Sequence, residues 1–244
     1  MRNSLAIFVP STGGHEAAVT SWADTASAPW PIDIDAATEG EAAGFLTKCD
    51  AAWRRTDATV IGFLHSDLTI HEHGWDQRVL AEFANDRAGD RQVGVVGFVG
   101  ARQLGMDDFG KLPYKLTQLA RGDVVSNLTD AEVHGARRVD PCEVAVVDSC
   151  AVFVRRELLT RCGGWPVTRY PNNPHCSDLW ICLSALRLGY AVRFVGVACS
   201  HRSGGKGQAG SKWLESHGGD SEHHVAAHRL IAEDFRSLLP VRVA

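Results

Sequence analysis

Thr59-Val60-Ile61-Gly62-Phe63-Leu64-His65-Ser66-Asp67 is an apolar run that stops abruptly on three polar side chains. Apolar residues on both alternations, with β-branched members, describe a strand covered on both faces. Such strands belong to parallel sheets sandwiched by helices. The sequence on either side repeats the pattern. Leu5-Ala6-Ile7-Phe8-Val9 is a second buried run, closed by Pro10-Ser11-Thr12-Gly13-Gly14. Glu16 to Trp22 reads as a helix, Ile32-Asp33-Ile34-Asp35 as an alternating strand, and Glu41 to Arg55 as a helix with Phe45, Leu46, Cys49, Ala52 and Trp53 at helical spacing.

Downstream, Gly74 to Phe83 predicts a helix and Val93 to Gly100 one buried strand. Ala101 to Asp140 carries weak periodicity and reads as loop with short elements. Val144 to Val154 reads as a strand interrupted by Asp148. Glu157 to Arg161 is a short helix ended by Gly163-Gly164-Trp165-Pro166. A helix over Ser177 to Leu188, a strand over Tyr190 to Val197, a glycine-rich and mobile loop over Ser203 to Gly210, and a helix over Val225 to Leu239 complete the expectation. Strands alternating with helices predict one α/β domain of Rossmann-like type with a mainly parallel central sheet. The domain is expected to divide into residues 1–100, residues 101–205, and a C-terminal loop and helix over 206–244.

Composition narrows the function. The 244 residues carry 45% apolar and 22% charged side chains, the balance of a packed globular domain. A net charge of −4 predicts no general affinity for polyanions and argues mildly against a DNA substrate. Seven cysteines, odd in number and without a CxxC pair, fit neither a disulfide framework nor a zinc ribbon, and predict a reducing, cytoplasmic setting. No apolar run approaches membrane-spanning length, which predicts a soluble chain without stable membrane insertion.

In open α/β sheets ligands bind beyond the carboxyl ends of the strands. Three runs end there in polar groups: Ser11-Thr12, His65-Ser66-Asp67 and His201. One carboxylate and one imidazole are too few for a closed metal cage. They suit a cation that completes its coordination with phosphate oxygens and water, and imidazole favours Mn2+ over Mg2+. Asp67 and His65 as simple caps of the turn is an equally natural reading of the spacing. Asp178, in the first turn of its helix, is either a favourable partner of the helix dipole or a general base. Gly13-Gly14 lacks the Lys-Ser/Thr of a P-loop, and His224 and His228 lack the acid of an HExxH motif.

Residues 59–67 resemble the end of the metal motif of family 2 glycosyltransferases, which have the GT-A fold. The likeness is nearest to a bacterial and phage subgroup whose strand ends His-Gln-Asp-Val, here His65-Ser66-Asp67-Leu68. Gly74-Trp75-Asp76, the run Val93 to Gly100, Asp148-Ser149, Arg155-Arg156, Gly163-Gly164-Trp165, Asp178, Gly189-Tyr190 and His201 follow in the family's order, over about residues 5 to 205. The resemblance implies a sugar transfer from a nucleoside-diphosphate sugar, UDP-linked by preference, to an acceptor hydroxyl with inversion. That acceptor is a glycan, a small molecule, a lipid-linked sugar or a modified nucleobase in DNA.

Carried across, the resemblance makes residues 1–100 a nucleotide-binding half and 101–205 an acceptor-side half. It gives Pro10, Ser11 and Thr12 to the base pocket, Asp35 to the base or ribose, and Asp50 to a place near the nucleotide. Ser66, Asp148 and Ser149 fall on the donor side, Asp67 and His201 on the Mn2+ or Mg2+ ion, and Trp165 on the acceptor wall. Asp178 becomes the base. Arg202 and Lys206, beside His201, would close over the diphosphate. The chain departs from the pattern at His65, where the family has an acid, at Ser177, also an acid there, and at Ser149, often a glycine. A nucleotidyltransferase, a sugar-nucleotide hydrolase and a non-catalytic binding module are the alternatives on the same fold.

Overall fold

The structure is a computed structural model and describes residues 3–11, 14–36, 45–85, 91–104, 124–129, 136–170, 177–201 and 220–243. Its centre is a seven-stranded sheet in the order β10-β13-β5-β12-β3-β1-β2. These strands are β1 (Leu5–Ser11), β2 (Ile32–Ala36), β3 (Val60–Leu64), β5 (Val93–Gly97), β10 (Cys142–Glu143), β12 (Ala151–Arg155) and β13 (Ala191–Phe194). β1 pairs in parallel with β2 and β3, and β13 with β5, whereas β12 runs antiparallel between β3 and β5 and β10 antiparallel to β13. Five strands therefore share one direction, as the sequence predicts, and β12 interrupts the parallel run.

Side chains of one strand alternate between two cores. Ile61 and Phe63 of β3 point to a core built with Leu46, Trp53, Leu158 and Ile181, while Val60 and Leu64 point to another containing Trp22, Trp75, Val79 and Phe83. Helices α1 (Glu16–Thr25) and α3 (Trp75–Ala84) cover the second face. Helices α2 (Phe45–Arg55), α4 (Arg156–Cys162), α5 (Ser177–Arg187) and α6 (Asp220–Asp234) contribute to the first. Among the described residues no helix is long and apolar enough to cross a membrane.

Four expectations are corrected. The run Val93 to Gly100 is two strands, because Phe98 bends inward against Trp75 and Phe153 (ring centroids 6.2 and 5.3 Å), and β6 (Val99–Ala101) continues in another sheet. The stretch Val144 to Val154 breaks at Asp148 as the sequence predicts, but its two parts join different sheets, β11 (Val146–Val147) pairing with β6 and β12 with the main sheet. The C-terminal helix ends at Asp234 rather than Leu239. Leu238 and Leu239 keep an apolar pattern, but Pro240 disfavours a helical residue before it, and β15 (Val241–Arg242) instead pairs with β7 (Gln103–Leu104). Finally, His201 does not end a strand of the main sheet. It closes β14 (Cys199–His201), which forms a separate ribbon with β4 (Leu68–Ile70). Two more short strands, β8 (Val124–Ser126) and β9 (Ala136–Arg137), fall in the weakly patterned middle section.

The Gly74-Trp75-Asp76 segment has a structural use. Asp76 is fully buried and accepts hydrogen bonds from the Ser27 amide (2.9 Å), the Ser27 hydroxyl (2.5 Å) and Trp30 Nε1 (2.7 Å), which fastens the connection from α1 to β2 onto α3. Burial alone would raise its pKa, but these donors outweigh it and hold the carboxyl below its usual range. The stability it supplies is complete above the ordinary value of 3.8 and is lost as pH falls through the lower folded value. Asp76→Asn turns one acceptor into a donor facing a donor. We expect a loss of roughly 1–3 kcal/mol, read as a lower urea midpoint at pH 7 that converges with the parent in strong acid.

Candidate active site

β3 delivers His65, Ser66 and Asp67 to the sheet edge through a tight turn. The His65 amide donates to the Cys150 carbonyl (3.0 Å) and the Leu68 amide to the His65 carbonyl (3.1 Å). The ribbon then brings the distant histidine alongside, because His201 stands opposite Leu68 in register. Helix α1 secures the ribbon: Trp22 Nε1 donates to the Leu68 carbonyl (2.7 Å) and the Ile70 amide to Ser21 Oγ (3.1 Å).

His201 Nε2 lies 3.2 Å from Asp67 Oδ1 and 3.3 Å from His65 Nδ1, and His65 Nδ1 is 4.0 Å from the same carboxylate oxygen. The three ligand atoms lie within 4.8 Å of one another, the spacing of a group able to hold a metal ion. Burial would raise the Asp67 carboxyl, but the hydrogen bond and charge of His201 prevail and lower it. Burial and then the neighbouring His201 push His65 down, which keeps it neutral, the state a ligating imidazole requires. Sequence reasoning paired Asp67 with His201 and left His65 as a departure. The signal available was an imidazole two residues before the carboxylate.

A pocket adjoins this cluster. His65, Pro10 and Ser149 line it together with Trp165, Ser177 and Asp178, over a floor that includes Phe63 and Val152. Asp178 Oδ2 accepts the Ser149 amide (3.1 Å) and Oδ1 the amide of Leu179 (2.7 Å). Burial, reinforced by the charge of Asp148, raises its pKa to about 7 despite these donors. A carboxyl poised near neutrality beside a cleft is the environment of a general base.

Trp165 is 7% exposed and packs edge-on against Phe63 (5.1 Å, 85°) and tilted against Trp180 (5.7 Å, 40°), so it is both core and pocket wall. Among the described residues its buried Nε1 meets no acceptor. Asp50, expected near the nucleotide, accepts the Trp165 amide (2.9 Å), Trp53 Nε1 (2.7 Å) and Arg54 Nε (2.8 Å). Its carboxylate thus fastens the turn that carries Trp165 to α2. Gly164 has φ +103°, and a Cβ there would come within 2.3 Å of Asp50 Oδ1, so the approach admits only glycine. Asp50→Ala leaves these donors without their partner. It should lower stability by roughly 2–3 kcal/mol, measured as a fall in denaturant midpoint.

The remaining predicted residues are placed as follows. Pro10 stands in register with Asp35, whose carboxylate is 3.3 Å from Lys48 Nζ. Asp148 is exposed and accepts the Cys150 amide (2.9 Å). Ser66 sits in the turn between His65 and Asp67, and Ser11 ends β1. Thr12, Arg202 and Lys206 lie outside the described residues.

No family model matches the chain, and no curated protein sequence matches it. Among solved structures, GalNAc-T7 with UDP, GalNAc and Mn2+ superposes with a TM-score of 0.52 at 10% identity, over 82% of this chain and 44% of that one. The chain has the GT-A fold. Two further solved structures superpose less well. The mannosyltransferase PcManGT from Pyrobaculum calidifontis, in complex with GDP-Man and Mn2+, gives a TM-score of 0.47 at 13% identity, over 98% of this chain and 71% of that one. A197 from STIV gives 0.45 at 15% identity, over 79% and 82%.

Proposed function

We propose that the chain is a metal-dependent glycosyltransferase that moves a sugar from a nucleoside-diphosphate sugar to an acceptor hydroxyl with inversion. The observation that carries this is a pocket lined both by His65, of the His65–Asp67–His201 cluster, and by Asp178, whose pKa is raised to about 7. The nitrogen and carboxylate donors fit a divalent cation, with Asp67 and His201 as its ligands and phosphate oxygens completing the shell. A cation held there would offset the negative charge that grows on the departing diphosphate.

The chain's own residues supply the rest. Pro10 and the end of β1 border the donor, and Ser149 stands between donor and base. Trp165 offers an aromatic wall to the acceptor. The acceptor oxygen bonds to the anomeric carbon as the bond from that carbon to the diphosphate oxygen breaks, its electrons leaving with the diphosphate. The hydroxyl proton passes to Asp178, whose two oxygens are aimed by the Ser149 and Leu179 amides. UDP is the favoured carrier on the resemblance of the motif alone.

The test is a thermal-shift panel of nucleoside diphosphates and sugar nucleotides with and without Mn2+. A ligand that binds only the folded state raises the midpoint by mass action. The expected result is a shift for one nucleoside diphosphate that needs the metal, followed by release of that diphosphate on turnover. No shift with any nucleotide would remove the donor site from the reading.

A further inference from the structure

A second ligand set lies against the first and shares a residue with it. Asp148, Cys150 and His201 also bring ligand atoms within 4.8 Å of one another. All three sit on restrained backbone. Asp148 donates its amide to the Val99 carbonyl (2.9 Å) and accepts the Cys150 amide, Cys150 is held to His65 across the β3–β12 edge, and His201 is set by the ribbon with β4. Asp148 is exposed while Cys150 is fully buried, so the group opens to solvent on its carboxylate side and ends in a thiol.

Donor chemistry separates the two sets. The first offers nitrogen and oxygen, suited to Mn2+. The second replaces one imidazole with sulfur, and sulfur, nitrogen and carboxylate together select Zn2+ and its heavier congener Cd2+. We propose that Asp148, Cys150 and His201 form a site for a thiophilic divalent cation, and that its occupation withdraws His201 from Asp67 and so weakens Mn2+ binding. As the sulfur–metal bond forms, the Cys150 thiol gives its proton to solvent. The ligand set itself is independent of the proposed glycosyl transfer. Only the weakening of Mn2+ binding rests on that reading.

The experiment is a titration of the full chain with Cd2+, followed by the ultraviolet thiolate-to-cadmium charge-transfer band, with Mn2+ binding followed separately by the loss of the free-ion EPR signal. The expected result is a band that saturates at one equivalent, disappears in Cys150→Ser and survives in both Cys199→Ser and Asp67→Ala. Bound Cd2+ should also release Mn2+ from the parent. Asp67→Ala is informative even if Cys150→Ser folds poorly, because it removes the first set and leaves the second. Absence of the band in the parent, or a band that persists in Cys150→Ser, overturns the site. A cadmium-loaded protein that binds Mn2+ as well as the free protein overturns the sharing of His201. Failure of the nucleotide panel would leave all these readings standing, so the two ideas fail separately.

Discussion

Asp178→Asn is expected to bind the sugar nucleotide and Mn2+ as the parent does and to turn over roughly 10²–10⁴-fold more slowly, the range contributed by a positioned general base. The parent should show kcat/KM rising with pH and levelling off above about 7, because the base works only when ionised and its pKa is raised to about 7. The same carboxyl makes a stability prediction that a misfolded variant would not reproduce. Its folded pKa lies above its unfolded value of 3.8, so its favourable contribution is complete below 3.8 and is lost as pH rises towards 7. Removing the charge should therefore help the fold most above pH 7 and not at all below about pH 4. Asparagine keeps one amide-accepting oxygen and loses the other, which trims the gain without changing its pH dependence. Slow turnover together with a stability gain that grows from acid to neutral pH would identify the base. Slow turnover with a uniform loss of stability at every pH would point to damaged packing instead.

The sheet was legible in the sequence because its strands are buried on both faces. Val60 to Leu64 has no polar alternate, and Leu5 to Val9 repeats that pattern, so period and burial agree. What was not legible is the partner each run chooses. Val93 to Gly100 looks continuous in hydropathy and Val144 to Val154 is broken only by Asp148, yet each divides between two sheets, a decision made by contacts far away in sequence. The ribbon of β4 and β14 is too short to give a periodic signal, although it alone explains why His201 meets Asp67. Asp67, Asp178 and Trp165 could be read from their order along the chain. The hold of Asp50 on the Trp165 turn was not legible, since its three donors come from α2 and from a turn more than one hundred residues away. Cys150 looked like an ordinary buried thiol until Asp148 and His201 were placed around it.

Asp67→Ala should abolish metal-dependent nucleotide binding while leaving the fold nearly intact. Asp67 sits in a turn with about a quarter of its side chain exposed, 26%, and its partner His201 keeps the ladder bonds of β14 without it. The stability cost is accordingly that of one partly exposed hydrogen-bonded pair, about 1 kcal/mol. The binding cost is much larger. Outer-shell partners of metal ligands alone are worth roughly 10–100-fold in affinity, and Asp67 is the cluster's only carboxylate. His65 and His201 would remain, 3.3 Å apart, as two imidazoles without the negative charge that a hard divalent cation demands. Asp67→Asn sharpens the comparison, because the amide oxygen can still accept from His201 and only the charge is gone. Both variants should melt close to the parent without ligand, and neither should gain stability from a nucleoside diphosphate plus Mn2+. If Asp67→Ala takes the nucleotide with Mn2+ as tightly as the parent, the cation is held elsewhere, and the cluster at the tip of β3 is a hydrogen-bonded turn.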